Sequence, residues 1–493
     1  MTRNYSLSTF ISRNRVNVKW RIALVLLFPF ALLEGRTAPM PQTVPAANTP
    51  IAFVHVCVID LNSSTLRGNY TVIIKGALID QVGPSDQVNV PEGVGHLEAR
   101  GKFLVPGLWD MHVHIGSNAL LLPFYIANGV TAVRSMADSV TEIRNFRQQI
   151  EGGEITGPRI IATAGQIIDG PHAVWPGSVS AATESEGRDA VDQVIAEGSD
   201  FAKVYDMLPR AAYFGVAEES KRKNIPFAGH LPMSVTAVEA SDAGQKSIEH
   251  LIGIPLACSA KEVSLREEVL ESGRHADSAW PALRAYRRAD SAAFDSYSSQ
   301  KADTLYARLV NNRTWIVPTL TNTLASIHSD DKTFRSDPRL QYMPDNLLSF
   351  WQAGEHSHIL TTKEQRSKNR SLQKYLHLVR AMHRKGVQIL PGTDTPNPFS
   401  FPGFGLHDEL KLLVKAGFTP AEALRAATRD SARFMGLLDS YGTVEPRKAA
   451  DLILLDANPL KDINSIDKIN AVVTRGRLFR REDLESLLRS ARK

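Results

Sequence analysis

Two histidines in the stretch WDMHVHIG, His112 and His114, are spaced to hold a metal ion. Side chains two apart on a strand point to the same face, so both imidazoles can reach one ion. Imidazole suits zinc and similar divalent cations. A His-x-His pair alone is weak evidence, but here it stands at the end of an apolar strand pattern and has company. His230 and His250 each close a strand-like run, AGHL and SIEHL, and Asp394 closes a third in LPGTDTP. Taken singly, a strand-end histidine is as readily a packed core residue, and an Asp after Gly-Thr can simply cap a turn. Together, four histidines and a carboxylate can bind metal and take a proton from water. Lys203, in FAKVYD, sits mid-strand where neither face is well exposed. A buried lysine must lose its charge, find a partner or be modified, unless it snorkels at a rim. Carboxylation by carbon dioxide would make it an anionic ligand with two oxygens, able to bridge two metals. Tyr205 shares its face and is a substrate contact or a packed core tyrosine. His172, in GPHAVWPG, stands on a loop that could reach a substrate, and Arg134 could bind a carboxylate or form a structural ion pair. His407, His55 and His96 receive no role. Cys57 and Cys258 are the only cysteines, too few for a thiolate zinc site or a disulfide framework.

The elements that must position these residues follow from patterning. Eight strand-like runs, separated by helix-like stretches, occupy 103–115, 130–136, 159–168, 201–206, 226–231, 247–251, 314–320 and 387–394. Such alternation signals βα units, and eight of them signal a closed (β/α)8 barrel with its working residues at the carboxyl ends of the strands. Short β-branched segments before and after this region, AFVHVCVIDL and NYTVIIKGALIDQVG near one end and ADLILLDANP and INAVVTRGRLF near the other, are expected to pair as one small β-sandwich. The expected domains are the sandwich over 51–103 and 439–482 and the barrel over 104–438. Two connections, 253–313 and 322–386, are charged, helix-prone and far longer than ordinary βα loops, and would form a lid over the barrel mouth or peripheral helices.

The 493 residues suffice for a barrel with a smaller companion. A hydrophobic share of 43% and a charged share of 22% are ordinary for a globular protein. The net charge of +5 belongs to the first 36 residues, where six cations face Glu34 alone, and the remainder balances at 51 of each sign. No nucleic-acid footprint is left. The leader reads as a signal peptide over 1–36, with basic residues up to Arg21 and an apolar run from Ile22 to Leu33, followed by a Pro-rich linker over 37–50. That run is short for a membrane span, although an uncleaved anchor and a plain extension are the alternatives. Export to the periplasm or medium is the expectation, with no membrane span in the mature chain. Homo-oligomeric assembly stays open.

The set His-x-His, Lys, His, His, Asp on strands one, four, five, six and eight resembles the amidohydrolase superfamily. Within it the chain is most similar to the imidazolonepropionase-like and Xaa-Pro/Xaa-Arg dipeptidase branch. VPGLWDMHVH, GVTAVRSM, GPRI, KVYD, AGHLP, SIEHL, PGTDTP, LHDELKLLVKAGFTPAEALRAAT and KAADLILLDANPL carry the likeness, from about residue 52 to 480. The resemblance implies two divalent ions, zinc by expectation. His112, His114 and Asp394 would hold one, His230 and His250 the other, with carboxylated Lys203 between them. It further implies amide hydrolysis of a dipeptide or N-acyl amino acid by metal-activated hydroxide, with Asp394 moving the proton. Hydrolysis of a cyclic amide, lactone or ester is the alternative, and a non-catalytic binding barrel a third reading. The chain departs from the family pattern at Ser135-Met136, where Asp follows the arginine, and at Pro446-Arg447-Lys448, where Pro-Gly-Lys is usual. The first departure puts an inherited substrate contact on strand two in doubt.

Overall fold

The computed structural model describes residues 50–116, 118–274, 278–352 and 359–490. The expected signal peptide, and all of the linker but Pro50, lie outside the described residues. In chain order the strands are β1 (Ile51–Asp60), β2 (Thr65–Lys75), β3 (Leu78–Pro84), β4 (Gly95–Glu98), β5 (Phe103–Pro106), β6 (Leu108–Val113), β7 (Val130–Met136), β8 (Arg159–Ala164) and β9 (Ile167–Asp169). They continue as β10 (Val179–Ser180), β11 (Ala202–Val204), β12 (Phe227–Gly229), β13 (Ser247–Glu249), β14 (Trp315–Val317), β15 (Leu452–Leu455), β16 (Ile469–Thr474) and β17 (Arg477–Arg480).

The β segments before and after the middle region meet in one continuous ladder. Eight strands pair in the order β17-β16-β15-β5-β1-β2-β3, with β4 also on β1. β1 makes this possible. Its register against β2 shifts twice, between Phe53 and Val56 and again before Val58, with His55 at φ 57. Such bulges bend a strand. The opposite edge of β1 thereby serves β4 along its first half and β5 along its second, both in parallel. Alternate residues, Phe53, Val72, Ile74, Leu104, Leu452 and Val473 among them, form a buried core on one face of this sheet.

The middle of the chain is mixed α/β, with its parallel strands in two sheets. β6-β7-β8 make one, and β10-β9-β11-β12-β13-β14 the other. The expected eight-stranded barrel is not closed by a continuous ladder, for two local reasons. The expected third strand breaks at Gly165 and Gln166, so β8 belongs to one sheet and β9 to the other. A Cβ on Gly165 would come within 2.6 Å of Ser199 Oγ, and the one backbone–backbone bond across this break, Asp200 N–H to Thr163 O, is joined by side-chain bonds from Thr163 N–H to Asp200 and from Gly165 N–H to Ser199. The expected eighth strand, 387–394, is not a strand. Pro391 has no N–H to donate, and Asp394 takes φ 57, so the segment makes only isolated parallel bridges, Ile389 to Ile316 and Thr395 to Val113.

Helices fill the two long connections and pack on the loops that follow the strands. In the first, Tyr286 donates to Leu231 O, Arg266 to Met233 O and Val235 O, and Asp290 accepts from the N–H groups of Gly253 and Leu256. In the second, the Trp351 indole donates to Pro396 O. The first contacts the loops that follow β12 and β13, and the second the segment that follows 387–394. Among the described residues, no helix is long and apolar enough to cross a membrane.

Candidate metal centre

His112 is the next-to-last residue of β6 and is fully buried. Its Nδ1 lies 2.8 Å from Glu249 Oε2, and Glu249 Oε1 in turn accepts from Arg134 Nη2 at 2.8 Å and from the Ser247 hydroxyl. A carboxylate on Nδ1 keeps the ring proton there and leaves the Nε2 lone pair facing inward. That Nε2 is buried and has no hydrogen-bond partner. It stands 3.3 Å from Asp394 Oδ1, and His114 Nε2 stands 3.2 Å from the same oxygen. One donor atom from each of His112, His114 and Asp394 lies within 4.8 Å of the others.

Asp394 reaches this place because its segment is tied to β6. The N–H groups of Thr393 and Asp394 both donate to His112 O, at 3.2 and 2.8 Å. Asp394 Oδ2 accepts from Asn322 Nδ2 at 2.6 Å, at the start of the helix Leu320–His328. Glu409 holds that helix end, accepting from the N–H groups of Leu320 and Thr321. Burial opposes ionisation of Asp394, but His250, His112 and His114 outweigh it and hold the carboxyl well below its usual range.

His230 and His250 extend the cluster. His230 donates its backbone N–H to Val204 O, and its Nδ1 lies 2.9 Å from Asp206 Oδ1. His250 adopts φ 61, donates its N–H to Val317 O at 2.7 Å, and sets Nδ1 2.7 Å from the Thr319 hydroxyl. The His250 ring centroid is 4.7 Å from those of both His112 and His230. His250, Thr319 and Asp394 are all left-handed, a conformation costing on the order of 1–3 kcal/mol for a residue with a side chain, and held only when surroundings impose it. Burial lowers the proton affinity of His230, His250 and His114, so these rings are neutral, as metal ligation requires. For His112 burial acts the same way, but Asp394 and Glu249 outweigh it.

Lys203 is 1% exposed in β11, and its Nζ donates to Met136 O at 3.2 Å. Burial pushes its amine down to about 8, against the pull of Asp394 and Glu249. Tyr205 is buried, with its ring 4.0 Å from that of His230. His172 is exposed on its loop, and the residue of that loop which reaches Tyr205 is Trp175, whose indole N–H donates to the Tyr205 hydroxyl at 2.7 Å. Arg134 needs correction as a substrate contact. It is 2% exposed, and Met111 O, Ser247 and Glu249 occupy its guanidinium, which makes it a prop beneath His112.

The donor set fits divalent metal: His112, His230 and His250 with their Nδ1 atoms engaged, an ionised Asp394, and one orphaned buried nitrogen aimed at it. Glu249, Asp206, Thr319 and Asn322 escaped the sequence reading because each meets its partner across the fold. The available signal was adjacency, since Glu249 directly precedes His250 and Asp206 ends KVYD.

The amidohydrolase family matches residues 350–479, a span that includes Asp394 but none of the other five candidate ligands. No curated protein matches the chain. Among solved structures, a protein from Bifidobacterium longum described as a prolidase candidate is 24% identical, with a TM-score of 0.60, over 90% of this chain and 99% of that one. A bottromycin amidohydrolase is 22% identical, with a TM-score of 0.68, over 89% and 90%. A Xaa-Pro dipeptidase with methionine bound in its active site is 19% identical, with a TM-score of 0.61, over 88% and 100%. The chain thus matches the amidohydrolase family in its C-terminal part and is similar in fold to amidohydrolase-superfamily structures, a prolidase candidate and a Xaa-Pro dipeptidase among them.

Proposed function

We propose that this chain is a metal-dependent hydrolase that cleaves the amide bond of a dipeptide or an N-acyl amino acid. The observation that carries this reading is the meeting of His112, His114 and Asp394 around a buried imidazole nitrogen without a hydrogen-bond partner. His112, His114 and Asp394 would hold one divalent ion, zinc by preference, and His230 and His250 a second, with carboxylated Lys203 between them. Divalent metal in such a site acidifies water and polarises a scissile carbonyl. The protein's own contribution is orientation and proton transfer. Glu249, Asp206 and Thr319 fix the ring planes of His112, His230 and His250. Asp394 takes the proton of the attacking water on its carboxylate and returns it to the leaving nitrogen. Asn322 keeps that carboxylate in one rotamer. Lys203, with its amine lowered to about 8, is neutral in sufficient fraction to add carbon dioxide, releasing one proton and gaining a carboxylate on Nζ.

The same reading takes the two parallel sheets as arcs of one (β/α)8 barrel over 104–438. Their seams support it, since 387–395 lies between β14 and β6 and bridges both. The β domain would comprise 51–103 and 439–482. The basic, apolar leader supports export by a signal peptide over 1–36.

The test is a screen of the zinc-loaded chain against dipeptides and N-acyl amino acids, with a chelated control and the variant Asp394→Asn. Chelator-sensitive release of amino acid, reduced at least a thousandfold in Asp394→Asn, is expected. Equal rates in the variant would overturn the role of Asp394. Silence of the metal-loaded wild type across the library would move the substrate to cyclic amides, lactones or esters.

A further inference from the structure

Trp175 stands on the loop that follows β9, in the stretch GPHAVWPG. β9 pairs in parallel with β11, Ile167 opposite Lys203 and Ile168 opposite Val204, so this loop leaves the sheet beside Tyr205, at the same end as the candidate ligands. The contact is direct. The Trp175 indole N–H donates to the Tyr205 hydroxyl at 2.7 Å, and the Tyr205 ring lies 4.0 Å from that of His230. One tyrosine side chain therefore separates Trp175 from the metal cluster. Asp169 ties the loop to the chain beyond β11, since its carboxylate accepts from the N–H groups of Val174 and Met207, at 3.2 and 2.8 Å. On the far side of the loop Gln166 donates to Gly177 O, and the Ser178 hydroxyl to Trp175 O, both at 2.8 Å.

Val174 turns inward from this loop and shares one buried cluster with Tyr205 and Met233. Trp175 does not, and keeps 38% of its surface exposed. Its one hydrogen-bond donor is spent on Tyr205, so what it presents outward is apolar π surface. Met207, Met233 and Ile252 belong to the same cluster or pack against it, and they follow Lys203, His230 and His250 along the chain. Half-buried Trp280, from the helix Ala279–Ala293 of the first insertion, packs there as well. The nearby carboxylates are committed. Asp169 serves the two N–H groups named above, Asp206 serves His230, and Asp290 accepts from the N–H groups of Gly253 and Leu256. All three are buried, which leaves none of them at the surface to pair with a cationic side chain.

We infer that Trp175 is the specificity-determining residue of an apolar subsite beside the metal cluster, which takes an aromatic group of the substrate. This rests on the function proposed above and names its substrate class, a dipeptide or N-acyl amino acid with an aromatic ring next to the scissile bond. The ring lies against the exposed face of Trp175, and the unbranched Met207 and Met233 adapt to its edge. Offset or edge-on aromatic contact adds to the gain from burial alone, so a phenyl ring is preferred to a methyl group. A cationic side chain finds no carboxylate there, and a small one leaves Trp175 bare.

Binding can be read without turnover, by calorimetry on the zinc-loaded chain. The probes are the N-methanesulfonyl derivatives of phenylalanine, alanine and lysine, whose sulfonamide resists hydrolysis. N-benzenesulfonylglycine joins them, with its ring on the other side of that bond. At least one of the two aromatic probes is expected to bind about ten- to a hundredfold more tightly than the alanine derivative. Trp175→Ala should abolish this preference while zinc content and affinity for the alanine derivative stay unchanged. Trp175→Phe, which loses the N–H but keeps a ring, should retain most of it, as a residue acting only by holding Tyr205 would not. Aromatic probes no tighter than the alanine derivative, binding of no probe, or tightest binding of the lysine derivative overturns the inference. So does a preference that survives Trp175→Ala, one lost as fully in Trp175→Phe, or loss of zinc from Trp175→Ala. Failure of the wild type to hydrolyse any dipeptide or N-acyl amino acid counts separately, against the proposed reaction, and leaves this comparison readable.

Discussion

Glu249 carries two loads at once, the orientation of His112 and the charge of buried Arg134. Burial opposes its ionisation, but Arg134 and His112 hold its carboxyl well below the usual range. Glu249→Gln should therefore weaken metal binding about ten- to a hundredfold, read by competition with a chelator of known affinity. It should also cost about 3–5 kcal/mol of stability, because Arg134 becomes a buried charge without its partner. Unchanged metal affinity would show that His112 is oriented by other means. This pair also marks how far residue types carry. His112, His114, Lys203, His230, His250 and Asp394 are legible because their side chains are rare at strand ends and chemically apt. Asn322 was illegible because nothing local distinguishes it from a surface residue, Glu249 offered only its place before His250, and Arg134 stayed open between a substrate carboxylate and an ion pair because its partner Glu249 is supplied by another strand.

Gly229 ends β12 at φ 132, and a Cβ there would meet Val204 O at 2.2 Å. Gly244 is also left-handed, at φ 89, but a Cβ there meets nothing within 4 Å. Gly244→Ala should then cost only about 1 kcal/mol of backbone strain. Gly229→Ala should cost several times as much and release metal, because β12 must move from β11 and His230 with it. Chemical denaturation and metal analysis of both variants check this, and equal losses would show that conformation alone matters at Gly229. Period and turn residues reveal strands of this kind, and seven of the eight expected runs in the middle of the chain contain one. They do not reveal which neighbour a strand finds. The break at Gly165 and the irregular 387–394 segment depend on contacts with Ser199, His112 and Ile316 that only the assembled fold supplies. Likewise, β-branched alternation located the terminal strands, while the bulges that bend β1 and merge them into one sheet left no separate trace.

Among the described residues, burial raises five carboxyls that nothing nearby fully compensates: Asp110, Asp169 and Asp290 to about 7, Glu409 to about 8, and Asp430 in the same direction. Their folded values exceed their unfolded ones, so folding takes up protons and stability falls as pH rises toward 8. Below about pH 6.5 the neutral His114, His230 and His250 act in the opposite sense, which makes pH 6.5 to 8 the informative window. The melting temperature of the metal-free chain should fall across it, by the equivalent of a few kcal/mol. A flat or rising profile would mean that these carboxyls are ionised in the folded chain.

The terminal sheet also sets a timetable. β5 is flanked by β1, made just before it, and by β15, made only after the entire metal-binding region. At about 5–20 residues per second, the β15-facing edge of β5 waits on the order of tens of seconds during synthesis. An open edge of apolar residues invites pairing with another chain. Chains terminated before Leu452 should therefore aggregate rather than persist as soluble inactive protein, and the nascent chain needs a chaperone or delayed collapse to bridge that interval.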